Sequence, residues 1–326
     1  MNILVAGGAG FIGTRVADAL VKDGHDVTVL DMLWFGKHHK DPQVKVVQAD
    51  IFDIDSTFLE GFDQVIFLAG VSNDPMAEYS PQINYIYNSA CPAYLAYIAK
   101  QAGVKRFIYA SSCSVYGNQG DILSTEEEKA ISLYPYGISK LQGERAIMGM
   151  GDENFSTISL RQGTVCGHSP RMRFDLVINT MFMKAKTEGA ITVDHPEIWR
   201  PILALTDAVN AYRKAVEAPP QVRGVFNVSS FNVTVGELGE AVKKHFKKKT
   251  DRDVTVTVKG IKNFRNYRVS TEKAEKELGL KFKETPQTIL DELDAEIAHD
   301  LDFDQDHFYN IRTFKKMVDA RKLLLN

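Results

Sequence analysis

Tyr136 and Lys140 stand four residues apart in the stretch Pro135-Tyr-Gly-Ile-Ser-Lys140, a spacing that puts both side chains on one face of a helix. A phenol has a reference pKa of about 10, so it works as a base near neutral pH only where positive charge favours the phenolate. An ammonium one helical turn away and an oxidised nicotinamide ring would both favour it. Tyr136 could then take a hydroxyl proton while hydride leaves the same carbon. Alone, this pairing is common on surface helices. It acquires meaning only if the chain also builds a place for the hydride acceptor.

The first sixteen residues, MNILVAGGAGFIGTRV, build such a place. Asn2 to Ala6 is a short apolar run suited to a buried parallel strand, and Gly7, Gly10 and Gly13 follow at three-residue spacing before a helix. One glycine permits the sharp turn, one permits close approach to a pyrophosphate, and one lets helix pack on strand. The free N–H groups of the first helical turn face the anion. The second strand ends at Asp31, whose carboxylate can accept hydrogen bonds from adenosine ribose hydroxyls and would repel a 2′-phosphate. That combination favours NAD over NADP.

Strand and helix patterns alternate through the first half, implying βαβ units and a parallel sheet. A third strand ends in Asp50-Ile51, a fourth in Leu68-Ala69-Gly70, and a fifth runs into Ser111-Ser-Cys-Ser-Val-Tyr-Gly117. Asn88 falls inside a helix expected from about 84 to 102. Thr234 and Glu237 form a capping pattern for a helix in the second half.

Composition limits the remaining possibilities. With 326 residues, a net charge of −3 and only one short basic run, Lys243 to Lys249, nucleic acid is not an expected partner. No apolar stretch is long enough to span a bilayer and the chain enters a strand without a cleavable signal, so a cytoplasmic location is expected. Cys91, Cys113 and Cys166 are scattered without metal-ligand spacing, so reduced thiols and no metal are expected.

Together these residues resemble the extended short-chain dehydrogenase/reductase superfamily, and within it the NAD-dependent nucleotide-sugar epimerase/dehydratase family. The likeness rests on Gly7-x-x-Gly10-x-x-Gly13, Asp31 in an Asp-x-Leu-x-x-Gly segment, Asp50-Ile51, Leu68-Ala69-Gly70 and Asn88. It rests also on Val115-Tyr116-Gly117, the Tyr136/Lys140 pair, and Arg200 seven residues before Asp207. It extends to about residue 300. The resemblance implies a Rossmann-type, doubly wound parallel sheet with a smaller, mainly helical C-terminal lobe for a nucleoside diphosphate-sugar. The NAD-binding part would be 1–163 plus roughly 204–231, the substrate lobe 164–203 and 232–300, and 301–326 an extension that either covers that lobe or joins subunits.

By the same resemblance NAD would be held by Gly7, Gly10, Phe11, Ile12, Gly13, Asp31, Asp50, Ile51, Leu68, Ala69, Gly70, Asn88, Tyr136 and Lys140. Ser112, with Tyr136 and Lys140, would complete the catalytic set by hydrogen-bonding the reacting sugar hydroxyl; the alternative is that Ser112 caps a strand end. Ser72, Thr164, Arg173, Arg200 and Arg265 are the expected substrate contacts, the arginines because a guanidinium fork suits diphosphate oxygens. The chain departs from the family pattern at Gln162, Gly163, Thr164 and Ala204.

The family's shared first step removes hydride from C4 of the sugar. Its 4,6-dehydratases place carboxylates right after the active-site Ser/Thr, where this chain has Cys113 and Ser114. A 4-epimerase, in which the keto sugar turns over and takes the hydride back, is therefore favoured. A 4-dehydrogenase or 4-ketoreductase acting on a GDP-heptose-like sugar is the alternative, because Thr164 to Leu176 resembles members that oxidise nucleotide-activated heptoses at C4. A non-catalytic or RNA-associated relative is opposed by the presence of Ser112, Tyr136 and Lys140. The resemblance implies a homodimer, formed by packing the Asn88-bearing and Tyr136-bearing helices against their symmetry mates; the apolar residues Tyr94, Leu95, Ile98, Leu141 and Ile147 on those helices would serve it, or else lie against the sheet.

Overall fold

A computed structural model describes residues 1–260 and 265–320. Its centre is a seven-stranded sheet in which every neighbouring pair is parallel. From one edge to the other the strands are Gly224–Val228, Ser156–Gln162, Arg106–Ser112, Gln64–Phe67, Asn2–Ala6, Asp26–Asp31 and Lys45–Gln48. The order reverses between Asn2–Ala6 and Gln64–Phe67, and ligands of such sheets bind in the crevice at the carboxyl ends of the strands at that point.

The apolar run of the first strand follows from its place at the centre. Ile3 and Val5 enter one hydrophobic cluster, Leu4 and Ala6 the cluster on the other face, and all four are fully buried. A strand covered on both faces has no polar side to alternate with. The helix Phe11–Lys22 follows directly and packs on Leu205–Glu217, so the chain does return to this sheet after its excursion into the second half.

That second half adds a three-stranded sheet of Thr164–Cys166, Trp199–Ala204 and Phe231–Thr234, and a parallel pair of Ala190–Asp194 with Thr255–Lys259. The helices Val177–Glu188, Val235–Thr250 and Pro286–Glu296 pack on one another. Val235–Thr250 starts with the expected capping box: Thr234 Oγ1 accepts the Glu237 N–H at 3.2 Å, and Glu237 Oε2 accepts the Thr234 N–H at 2.8 Å.

Two expectations change. The Asn88 helix begins at Pro81 and is interrupted at Ile86–Ala90 by a wider π turn before continuing as Cys91–Gln101. Such turns cluster at functional sites because they re-aim a side chain. Leu95, Ile98, Leu141 and Ile147 are buried within this chain, so they are not a surplus apolar face. Half-buried Tyr94 donates its hydroxyl to the Ile54 carbonyl at 2.8 Å. Leu95, Ile98 and Ile147 cover the sheet beside Phe67 and Phe107, while Leu141 packs with Cys113, Val115 and Tyr116.

The segment after residue 300 crosses back to the first half. Phe303 and Phe308 stand edge-on against Phe174 at 4.9 and 5.3 Å, and the C-terminal helix Asn310–Asp319 packs on Asp74–Tyr79. Phe314, fully buried, joins Val71, Met76 and Ile83. The extension therefore lies over the crevice side of the sheet. No helix among the described residues is long and apolar enough to cross a membrane.

Candidate active site

Two cavities meet at the carboxyl end of the central strands, sharing a wall of Phe11, Ile12, Leu68, Ala69, Gly70, Ser72 and Arg173. The first is lined by the glycine turn, Asp31, Asp50 and Ile51. The glycines have separable reasons. Gly7 has φ +77°, and a Cβ there would stand 2.3 Å from the Ala69 nitrogen; at Gly13 it would stand 2.4 Å from the Gly7 carbonyl oxygen. At Gly10 a Cβ would meet only that same oxygen, at 3.3 Å, so its other side opens on the cavity.

Asp31 is fixed from two sides. Its Oδ2 accepts the Ala9 N–H at 3.0 Å and its Oδ1 the Leu33 N–H at 2.8 Å. Burial pushes this carboxyl above its ordinary pKa while those donors pull it back. Each oxygen keeps a lone pair for a ribose hydroxyl. Leu33 adopts φ +58°, a left-handed conformation unfavourable for a branched apolar residue, and it is this conformation that accompanies the hydrogen bond to Asp31. Asp50 accepts the Tyr87 hydroxyl at 2.8 Å, closing the adenine end with an aromatic ring. A cradle that excludes Cβ atoms, beside a carboxylate with spare acceptors and an apolar slot at Ile51, suits a dinucleotide.

The second cavity is lined by Ser112, Tyr136, Lys140, Thr164, Arg173, Arg200 and Arg265. Tyr136 and Lys140 lie in the first two turns of Pro135–Met150. Lys140 is buried, donates to the Ala110 carbonyl at 2.9 Å and sits 5.1 Å from the Tyr109 ring centroid. Burial lowers its pKa to about 8. Burial pushes the Tyr136 phenol up to about 12, opposed by a hydrogen bond from Ser112 and the charge of Arg173. The lysine is aimed at Ala110, so in the protein alone the phenolate is not favoured. Ser112 Oγ accepts the Ser114 N–H at 3.1 Å, which leaves its hydroxyl proton for the Tyr136 oxygen.

Beneath this helix lies a support that the sequence reading missed. Glu144, one turn past Lys140, forms a buried bidentate pair with Arg161, with contacts of 2.7 to 3.2 Å, and accepts the Ser159 hydroxyl at 3.0 Å. Arg161 also donates to the Tyr116 hydroxyl at 2.8 Å. The four-residue step from Tyr136 to Lys140 to Glu144 was a readable signal. Cys113 is fully buried and its Sγ donates to the Arg161 carbonyl at 3.1 Å, away from the cavity. Burial pushes that thiol's pKa far up, leaving it inert.

The arginines divide. Arg173 is held bidentately by Asp175 at 2.9 and 3.1 Å. Burial would raise the Asp175 carboxyl, but the guanidinium holds it below its ordinary range. Arg265 pairs with Asp74 and donates to Ser114 Oγ at 3.0 Å, so it reaches the reacting end of the cavity. Arg200 donates to its neighbour's carbonyl, Trp199 O, at 3.0 Å and forms no ion pair among the described residues. Ser72 accepts from Asn310 at 2.7 Å. Asn88 lines neither cavity: it is fully buried behind Gly70, donating to Val71 O and Asn84 Oδ1 at 2.8 Å. It shapes the wall rather than touching what the wall encloses.

A parallel sheet with a glycine cradle at its reversal point, and a Ser-Tyr-Lys set beside it, defines a dinucleotide-binding fold with a polar second pocket. The chain belongs to the NAD dependent epimerase/dehydratase family, whose pattern it matches over residues 3–229. It is 36% identical over 180 residues to a UDP-glucose 4-epimerase of Lactobacillus helveticus, a match covering 52% of this chain and 53% of that one. The matched stretch thus spans about half the length of that relative. A putative UDP-arabinose 4-epimerase 2 of Arabidopsis thaliana is 29% identical over 281 residues, covering 74% of this chain and 67% of its own. In fold, the chain is similar to a UDP-glucuronic acid 4-epimerase from Bacillus cereus solved with UDP-glucuronic acid and NAD. The TM-score is 0.77 at 23% identity, over 90% of this chain and 97% of that one.

Proposed function

We propose that this protein is an NAD-dependent nucleotide-sugar 4-epimerase. The observation that carries this reading is the junction of the two cavities, where Ser112, Tyr136 and Lys140 stand beside the Leu68-Ala69-Gly70 wall common to both. The names of the relatives, 4-epimerases of UDP-sugars, support the same reading.

Bound NAD would supply a hydride acceptor and a positive ring. The glycine turn and Asp31 would hold its pyrophosphate and adenosine ribose, and Lys140 the ribose nearer the reacting end. Ser112 would donate to the reacting hydroxyl and hold it toward Tyr136. Tyr136 would take the C4 hydroxyl proton and return it after the keto sugar has presented its other face. A phenol near 12 is a poor base in the empty protein, so deprotonation is tied to cofactor occupancy. That coupling guards against proton loss without hydride transfer. Arg200 would bind diphosphate oxygens, because the other two arginines of the second cavity, Arg173 and Arg265, are already paired with carboxylates.

Dehydration is disfavoured on chemical grounds. The two carboxylates lining the second cavity, Asp74 and Asp175, are each paired to an arginine, and neither follows Ser112. The test is to incubate the pure protein with UDP-, GDP-, CDP- and dTDP-sugars, following absorbance at 340 nm and product stereochemistry. Inversion at C4 without net NADH is the expected result; net NADH without inversion would make it a dehydrogenase. A homodimer belongs to the same proposal, and the helix Cys91–Gln101 would have to offer its exposed residues such as Tyr97. A sedimentation mass of one chain would reject it.

A further inference from the structure

Arg171 is among the largest fully buried side chains of the molecule, 2% exposed, and it lines the first cavity together with Gly10, Asp31 and Asn310. Its guanidinium lies 3.8 Å from the centroid of Phe35, in the loop after Asp31. Five N–H donors find few acceptors there: Asn310 Oδ1, and the Met172 carbonyl at 3.5 Å. Nε is buried with no partner. Two carboxylates act on it from nearby without a hydrogen bond to it: Asp175 is occupied by Arg173, and Asp31 accepts the Ala9 and Leu33 N–H groups. Burial and the neighbouring Arg173 lower the guanidinium's pKa, to about 9, yet leave it a cation at neutral pH. A buried cation this short of acceptors is costly unless an anion completes it. The helix Phe11–Lys22 opens on the same cavity, with no side chain capping its first N–H groups and no acid in its first turn.

We propose that Arg171 binds phosphate oxygens of the dinucleotide's pyrophosphate, and that Asn310, from the C-terminal arm, holds the guanidinium in place for it. The glycine cradle offers the pyrophosphate backbone dipoles; Arg171 adds the full charge from the far half of the chain. Asn310 is suited to the holding role because its own backbone N–H donates to Asp175 at 3.2 Å and its side chain donates to Ser72 at 2.7 Å. The C-terminal helix, docked through Phe314, thereby becomes part of the cofactor site. The inference rests on the NAD reading above.

The test uses the full chain as purified. Copurifying nucleotide is quantified, and the Kd for NAD, ADP-ribose and NADP is measured by calorimetry for the wild type, Arg171→Met, Arg171→Lys and Asn310→Ala. Loss of a charged hydrogen-bond pair should weaken NAD and ADP-ribose alike by about 10- to 100-fold in Arg171→Met, less in Arg171→Lys and Asn310→Ala. Should Arg171→Met fail to fold, as judged by its melting curve, the other two variants carry the decision. Loss confined to NADP would move the arginine to a 2′-phosphate and overturn the pyrophosphate assignment. Unchanged Kd values in folded variants would overturn any ligand role. A wild type that binds none of the three nucleotides would instead sink the NAD reading itself.

Discussion

The two cavities that meet at Gly70 are built on different principles. The cofactor side uses local backbone geometry: a turn with no room for a Cβ at Gly7 or Gly13, a helix start, and an aspartate fixed by N–H groups two and twenty-two residues away. The second cavity relies on long side chains, Arg265 paired with Asp74 and hydrogen-bonded to Ser114 from distant parts of the chain, and Arg173 paired with Asp175 two residues on. Backbone geometry of the first kind is fixed by the turn itself. Pairs of long side chains can be exchanged one at a time while the scaffold stays the same.

The contrast can be broken experimentally. The largest effect is expected at the junction: Tyr136→Phe and Ser112→Ala should lower kcat by about 100- to 10,000-fold while leaving the Kd for NAD nearly unchanged. A parallel loss of NAD binding would mean that the two sides are not separable. Next comes Gly7→Ala, which must place a methyl against the Ala69 backbone at φ +77°. It should cost at least about 2 kcal/mol of stability and most NAD affinity, read by melting curve and calorimetry. Arg200→Met should raise KM about tenfold or more with a smaller change in kcat, the signature of lost ground-state binding.

Stability should also depend on pH. Lys140 titrates at about 8 in the fold against an ordinary 10.5, so between those values the unfolded chain holds more protons and stability rises with pH. Below pH 8 the buried charge costs about 3 kcal/mol by this measure. Lys140→Met should therefore gain most in melting midpoint at pH 7, with the gain shrinking toward pH 10.5. A constant difference across that range would show that the lysine charge is not strained in the fold.

The same contrast decides what could be read from the sequence. Gly7, Gly10, Gly13, Asp31, Tyr136 and Lys140 announce themselves because each acts through neighbours within a turn or a βα unit. The parallel pairing of the strands and the Thr234 cap were legible for the same reason. Arg171 and Asn310 stand 139 residues apart, and nothing in either local pattern points to the other. Helix amphipathicity was equally silent on whether Leu95 and Ile147 would meet a sheet or a second subunit, since either surface satisfies an apolar face. At Tyr136, spacing gives proximity to Lys140 but not the direction in which the ammonium points, here the Ala110 carbonyl.

Hydride that leaves C4 and returns to the same carbon is the centre of the proposed function, and a substrate deuterated at C4 reports on it directly. With the nucleotide sugar that the protein accepts, mass and NMR spectra of the product should show deuterium still at C4 with the configuration inverted. Deuterium recovered in free reduced cofactor, or exchanged for solvent hydrogen at C4, would contradict it.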